Sequence, residues 1–322
     1  MKVMVIGGSG LFGRKTIAHL LEDPDITGVV SVDMAPPTEW FMKTIGNYSD
    51  KFHFVRGDVS ELEDLLNAMA LYPVDGVVNW AFVMGAAVNT DPRLSTKVNA
   101  LGMCNAFEAA RLMGAKRVVY ASSETVYGPQ SFYGDRDVVE DDILMPSHSY
   151  AVCKRFAEII AAQYQERYGV QFTGVRPTIG YGHGGRSPAQ YWSDMPSMAA
   201  VGKPYTFEFR RPGLESLVSA DDLGEFTKIL IKAPSSPHPV YNVGGPPTGV
   251  QDAVDVVKSY IPDAKITMGT KDPPFMGEGL PWKVSMKRAI EDFGYQCMPL
   301  EKSILLHIND ARLEAGMEPI KG

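Results

Sequence analysis

Short unbroken apolar runs alternate with amphipathic helical patterns along the first half of the chain, the rhythm of a parallel sheet covered by helices on both faces. The first run, Lys2 to Ile6, passes through a glycine-dense turn into a helical pattern over Leu11 to Leu21. Gly28 to Val32 and Phe52 to Arg56 follow as strands, then a helix over Glu61 to Ala70 and a fourth strand, Gly76 to Trp80. From Leu94 to Met113 the apolar positions keep helical spacing, and Gly114 is a stop signal. A fifth strand, Arg117 to Ala121, a polar loop to Pro146, a long helix from Ser149 to Tyr168 and a sixth strand, Gln171 to Arg176 broken by Pro177, complete the pattern. It predicts an α/β protein with a doubly wound parallel sheet.

Beyond Arg176 the rhythm breaks. Thr178 to Lys203 is rich in Gly, Ser, Pro, Met and aromatics and contains Gly180-Tyr-Gly-His-Gly-Gly185. Loops at the carboxyl edge of such a sheet close over a ligand, so this is the expected substrate side. A further helix, Asp221 to Lys232, and a late strand, Val240 to Val243, return to the first pattern, and the tail from Val250 reads as helices between Pro-rich connectors.

Composition narrows the partners. With 322 residues, 45% hydrophobic and a net charge of -7, the chain has no basic patch interleaved with aromatics, so nucleic acid is not an expected partner. The longest apolar stretch, around Gly76 to Val88, is broken by Asn79 and too short to span a bilayer, and the opening residues read as a strand rather than a leader. Cys104, Cys153 and Cys297 fit neither a disulfide framework nor a zinc spacing. A cytoplasmic protein without a metal site is expected.

The chemistry begins at Gly7-Gly-Ser-Gly10-Leu-Phe-Gly13. Glycines there let the backbone approach a pyrophosphate, while the helix amides at Leu11, Phe12 and Gly13 meet its charge. Both G-x-x-G-x-x-G and G-x-G-x-x-G fit, so the register stays open. Asp33, twenty residues after Gly13, would accept from the adenosine ribose hydroxyls and repel a 2′-phosphate. NAD rather than NADP is the expected cofactor, and the sheet is expected to be of Rossmann type. Asp58 would either accept from the adenine amine or, with Ser60, cap the next helix. Small residues at Ala81 would let the cofactor lie against the backbone.

Tyr150 and Lys154 lie four apart on one helix face, so the ammonium can stand near the phenol and favour the phenolate. Ser122 and Ser123 end the fifth strand at the same sheet edge. Ser123, Tyr150 and Lys154 therefore form a constellation for removing a hydroxyl proton as hydride leaves the same carbon.

These residues carry a family resemblance. With Gly7, Gly10, Gly13, Asp33, Asp58-Val59, Asn99, Ser122-Ser-Glu-Thr-Val-Tyr-Gly128, Tyr150-Ala-Val-Cys-Lys154 and Val175-Arg-Pro177, the chain resembles extended short-chain dehydrogenases/reductases of the NAD-dependent epimerase/dehydratase family over nearly its whole length. The resemblance implies that Ser123 polarises the substrate, Tyr150 is the base, and Lys154 binds the nicotinamide ribose and lowers the tyrosine pKa. It also implies that Asp58 and Val59 hold adenine, Ala81 and Pro177 line the cofactor, and Asn99 supports the proton relay. It implies a homodimer through the helices Leu94 to Met113 and Ser149 to Tyr168, and a division into an NAD-binding part, residues 1–177 completed by 217–247, and a substrate-binding lobe, 178–216 and 248–322.

Two departures bear on the substrate. Glu124-Thr125 stands where sugar-nucleotide dehydratases place Asp-Glu, and Glu215 stands where nucleotide-sugar epimerases tend to carry a pyrophosphate-gripping Arg. The expected activity is hydride transfer between nicotinamide and a secondary alcohol or ketone carbon of a small polar substrate such as a sugar acid, hydroxy acid or amino alcohol. Glu124, Arg176, Arg186, Arg210 and Arg211 are candidate substrate contacts. A 4-epimerase that retains NAD and a non-catalytic NAD-binding protein are the alternatives.

Overall fold

The computed structural model describes residues 1–85, 88, 90–272 and 279–321. The strands are β1 (Lys2–Ile6), β2 (Gly28–Asp33), β3 (Phe52–Arg56), β4 (Gly76–Asn79), β5 (Arg117–Ala121), β6 (Gln171–Pro177), β7 (Ile179–Tyr181), β8 (Tyr205–Thr206), β9 (Leu214–Ser219), β10 (Val240–Val243), β11 (Pro247–Gly249) and β12 (Ile266–Thr267). Seven of them form a parallel sheet in the order β10-β6-β5-β4-β1-β2-β3. The order reverses at β1, whose neighbours are β2 and β4, and the crevice for a ligand lies at the carboxyl ends of such strands.

Both faces of the sheet are buried, which is why its strands read as continuous apolar runs. Val3 and Val5 point into one cluster with Ile17, Leu20, Leu223 and Phe226 from the helices Leu11–Glu22 and Ala220–Lys232. Met4 and Ile6 point into the other with Leu65, Phe107, Ala157 and Ala161, from the helices Leu62–Leu71, Gly102–Leu112 and Ser149–Tyr168. A third cluster joins Tyr181, Tyr191, Trp192 and Leu217 to Val254, Val257, Ile304 and Ile308 of the last helices. Of the apolar stretch read as far as Val88, residues 86 and 87 lie outside the described residues. Among the described residues no helix is long and apolar enough to cross a membrane.

One predicted helix is corrected. Leu94 to Met113 is not continuous: Pro92–Ser95 and Gly102–Leu112 are α-helical, and Thr96–Leu101 between them is a π turn. The wider turn centres on Asn99, whose Oδ1 accepts from the Val83 amide at 2.9 Å and whose Nδ2 donates to the Val83 carbonyl at 2.8 Å. The two tertiary bonds to the segment that follows β4 accompany the wider turn, a geometry frequent near functional sites. The sixth strand also runs one residue further than expected, with Pro177 paired to Val243 at the sheet edge.

Candidate active site

The end of β1 and the helix after it form a tight cradle. Gly7 has φ +78°, and a Cβ there would meet the Ala81 amide nitrogen at 2.7 Å. A Cβ on Gly13 would run into the Gly7 carbonyl oxygen. Glycine is thus enforced at 7 and 13. Gly10 is the N-cap of the helix Leu11–Glu22, with no side-chain cap bond and no acidic residue in the first turn. The amides of Leu11, Phe12 and Gly13 are therefore unclaimed by side chains, and the cradle fits a pyrophosphate. Phe12 turns away to pack on Trp80 at 5.5 Å. Asp33 is fixed beside this turn, accepting from the Ser9 amide at 3.0 Å and the Ala35 amide at 3.2 Å. An anion there favours a free ribose over a phosphorylated one.

Asp58 does not cap the following helix. Its Oδ1 accepts from the Ser60 amide at 2.8 Å and hydroxyl at 2.7 Å, while Glu61 occupies the cap position without a side-chain bond. Val59 is buried, and its carbonyl accepts from Asn105 Nδ2 at 3.0 Å. The Ala81 amide donates to Asn79 Oδ1 at 3.0 Å, holding the chain against Gly7.

Ser123 lies two residues past β5 and caps the short turn Glu124–Val126, its hydroxyl accepting from the Thr125 amide at 3.2 Å. Tyr150 and Lys154 enter from the helix Ser149–Tyr168, which starts where His148 Nδ1 accepts the Ala151 amide at 3.3 Å and stops at left-handed Gly169. The Lys154 Nζ donates to the Ala121 carbonyl at 2.9 Å and lies 4.9 Å from the Phe82 ring centre and 5.3 Å from that of Tyr150. Burial pushes the Tyr150 phenol up; a hydrogen bond with Ser123 opposes this and the Glu124 charge adds to it. Burial pulls the Lys154 ammonium down to about 7. Burial favours the neutral form of both side chains, so an added charge in the cleft moves both.

Residues 3–244 match the model of the NAD dependent epimerase/dehydratase family. The chain belongs to that family. It is an NAD-dependent enzyme of the extended short-chain dehydrogenase/reductase type. An uncharacterised protein of Methanocaldococcus jannaschii is 29% identical over 203 residues, 59% of this chain and 60% of that protein. A UDP-glucose 4-epimerase of Mycolicibacterium smegmatis is 29% identical over 184 residues, 56% of this chain and 57% of that enzyme. The chain thus aligns with less than two thirds of the length of either relative. The structure of L-threonine dehydrogenase from Clostridium difficile superposes with a TM-score of 0.82 at 21% identity, covering 98% of this chain and 99% of that one.

Within this family member the predicted substrate residues separate. Arg176 is corrected: it is buried, and its guanidinium is consumed by Glu158 at 2.7 and 2.9 Å, the Tyr127 hydroxyl at 2.7 Å and the Glu140 carbonyl at 2.9 Å. Four of its five donors are spent on the scaffold, and the group is buried away from the surface. Arg210 pairs with Asp272 on the surface, and Arg186 is exposed. Arg211 lies over the Tyr191 ring at 4.2 Å, with its Nε buried and unpartnered among the described residues.

Glu124 is only 2% exposed, and its Oε2 has no partner among the described residues. Burial, and then the charge of Glu215, pushes its carboxyl well above the usual range. Glu215 accepts from the Tyr191 hydroxyl at 2.6 and 2.8 Å and from the Trp192 indole. Sequence reasoning marked the Glu215 position as a departure but missed Tyr191, Trp192, Phe82 and His148. The first two sit in a segment without period, and the ring stack of His148 on Tyr150, 6.2 Å between centres, leaves no trace in spacing.

Proposed function

We propose that this enzyme is an NAD-dependent oxidoreductase that moves a hydride between nicotinamide and a secondary alcohol or ketone carbon of a small polar substrate. The observation that carries the reading is the convergence of Ser123, Tyr150 and Lys154 at the carboxyl end of β5, beside the glycine cradle. NAD, when bound, supplies the hydride acceptor. Ser123 orients the substrate oxygen, Tyr150 accepts its proton, and the Lys154 ammonium stabilises the phenolate that results. Asn99 fixes Val83 and with it the wall carrying Phe82. Gly7, Gly10, Leu11, Phe12, Gly13, Asp33, Asp58, Val59, Ala81 and Pro177 are the proposed cofactor contacts. The segment 178–216 with 248–322 is the proposed substrate lobe.

Glu215 favours this reading over a nucleotide-sugar epimerase. A carboxylate fixed by Tyr191 and Trp192 repels the diphosphate that an epimerase must grip. The 4-epimerase reading is supported by the names of several relatives, the Mycolicibacterium smegmatis enzyme among them. A homodimer in the cytoplasm completes the proposal. Val152, Phe156 and Ile159 leave an apolar stripe exposed on the helix Ser149–Tyr168, and all three cysteines are free thiols, which suits a reducing compartment. Purified protein incubated with NAD and a panel of secondary alcohols should accumulate NADH, and Tyr150→Phe should abolish this while NAD affinity stays within about twofold. Epimer interconversion without net NADH would overturn the reading.

A further inference from the structure

Glu124 is a buried carboxyl group and Glu215 a half-buried one, and among the described residues neither forms an ion pair, the nearby Arg211 lying instead over the Tyr191 ring. Glu124 follows Ser123 directly, acts electrostatically on the Tyr150 phenol, and leaves Oε2 without a hydrogen-bond partner among the described residues. Glu215 accepts from the neutral donors Tyr191 and Trp192, and among the described residues it forms no ion pair. The Glu215 charge opposes ionisation of Glu124. A buried acid without a partner is costly to a fold and persists where a ligand completes it.

We propose that Glu124 and Glu215 together recognise a protonated amine next to the reacting carbon, so that the substrate is a vicinal amino alcohol. The inference rests on the oxidoreductase reading and adds the substrate class. An ammonium between the two groups lets Glu124 ionise beside the Glu215 charge, Glu124 releasing its proton to solvent as the cation enters. The same positive charge offsets the Glu124 effect on Tyr150, so the amine is recognised and the phenolate is favoured at once. A diol of the same skeleton can donate a hydrogen bond but brings no positive charge to offset the two acids. A nucleotide diphosphate adds negative charge where two acids already compete.

The test compares isopropanolamine with propylene glycol, and threonine with its dihydroxybutyrate counterpart, following NADH with the native protein. The amino member of a pair should exceed its diol in kcat/KM by about a hundredfold or more, since a site built for a substrate N–H rejects the analogue without it. In Glu124→Gln and Glu215→Gln the ratio should fall towards one, with folding checked by stabilisation on NAD addition. A native protein that oxidises diols as well as amino alcohols overturns the inference and leaves the oxidoreductase reading standing. Turnover of neither member of any pair overturns the inference. Epimerisation of a nucleotide sugar without NADH overturns the inference and the proposed function together.

Discussion

The Lys154 ammonium is tied to the Ala121 carbonyl at 2.9 Å, so the last residue of β5 fixes it 5.3 Å from the Tyr150 ring centre. Strand and helix thus meet through one hydrogen bond whose donor is wholly buried. Removing the charge while keeping the stem, as in Lys154→Met, leaves the phenol with burial pushing its pKa up and no cation beside it. We expect a loss in kcat of about a hundredfold to ten-thousandfold and an optimum displaced to higher pH. A pH profile of NADH formation reads both. An unmoved optimum would separate Lys154 from the phenol.

Arg176 and Glu158 form a buried ion pair. Burial alone would lower the Arg176 pKa, but the Glu158 bond and charge outweigh it and keep the guanidinium protonated. Arg176→Met strands the carboxylate and should cost about 3–5 kcal/mol of unfolding free energy. Replacing Glu158 by Gln in the same molecule should recover part of that cost. Equal midpoints for native protein and Arg176→Met in urea would contradict the pairing.

His307 is buried, its Nε2 lies 2.8 Å from the Ser197 hydroxyl, and its Nδ1 is unpartnered among the described residues. Burial, then the His183 charge, lowers its pKa from 6.5 to about 3. The unfolded chain therefore binds a proton below pH 6.5 that the folded protein refuses until about pH 3. Stability falls as the pH drops through that window, by up to roughly 1 kcal/mol per pH unit from this group. His307→Gln should flatten the slope between those limits in urea titrations, and an unchanged slope would remove His307 as its source.

Phe156 lies near the middle of the exposed stripe that includes Val152 and Ile159. A charge there cannot be buried between two copies of the helix. Phe156→Glu should convert the proposed dimer to a monomer by light scattering. A dimer that survives the change uses another face.

Much of this was readable from residues alone. β3, β5, β10 and the helix Ser149–Tyr168 have the bounds that apolar runs and stop signals predict, because a parallel sheet buried on both faces writes its strands without interruption. The Leu94 to Met113 helix failed for the opposite reason: nothing local announces that Asn99 will bond to Val83. Arg176 likewise looked free because Glu158 lies on a different element, and only the packing of helix on strand brings them together. The acids Glu124 and Glu215 belong to segments separated by most of a domain, so their encounter has no sequence signature.

The clamp that joins Glu158 to Arg176 also takes the Ser122 hydroxyl at 2.6 Å. The serine-bearing turn, the tyrosine-bearing helix and β6 are consequently one stiff wall, unable to slide past one another without breaking a buried charge pair. A substrate therefore meets a surface already in place, one that pre-orders the reacting groups rather than gathering them on its arrival.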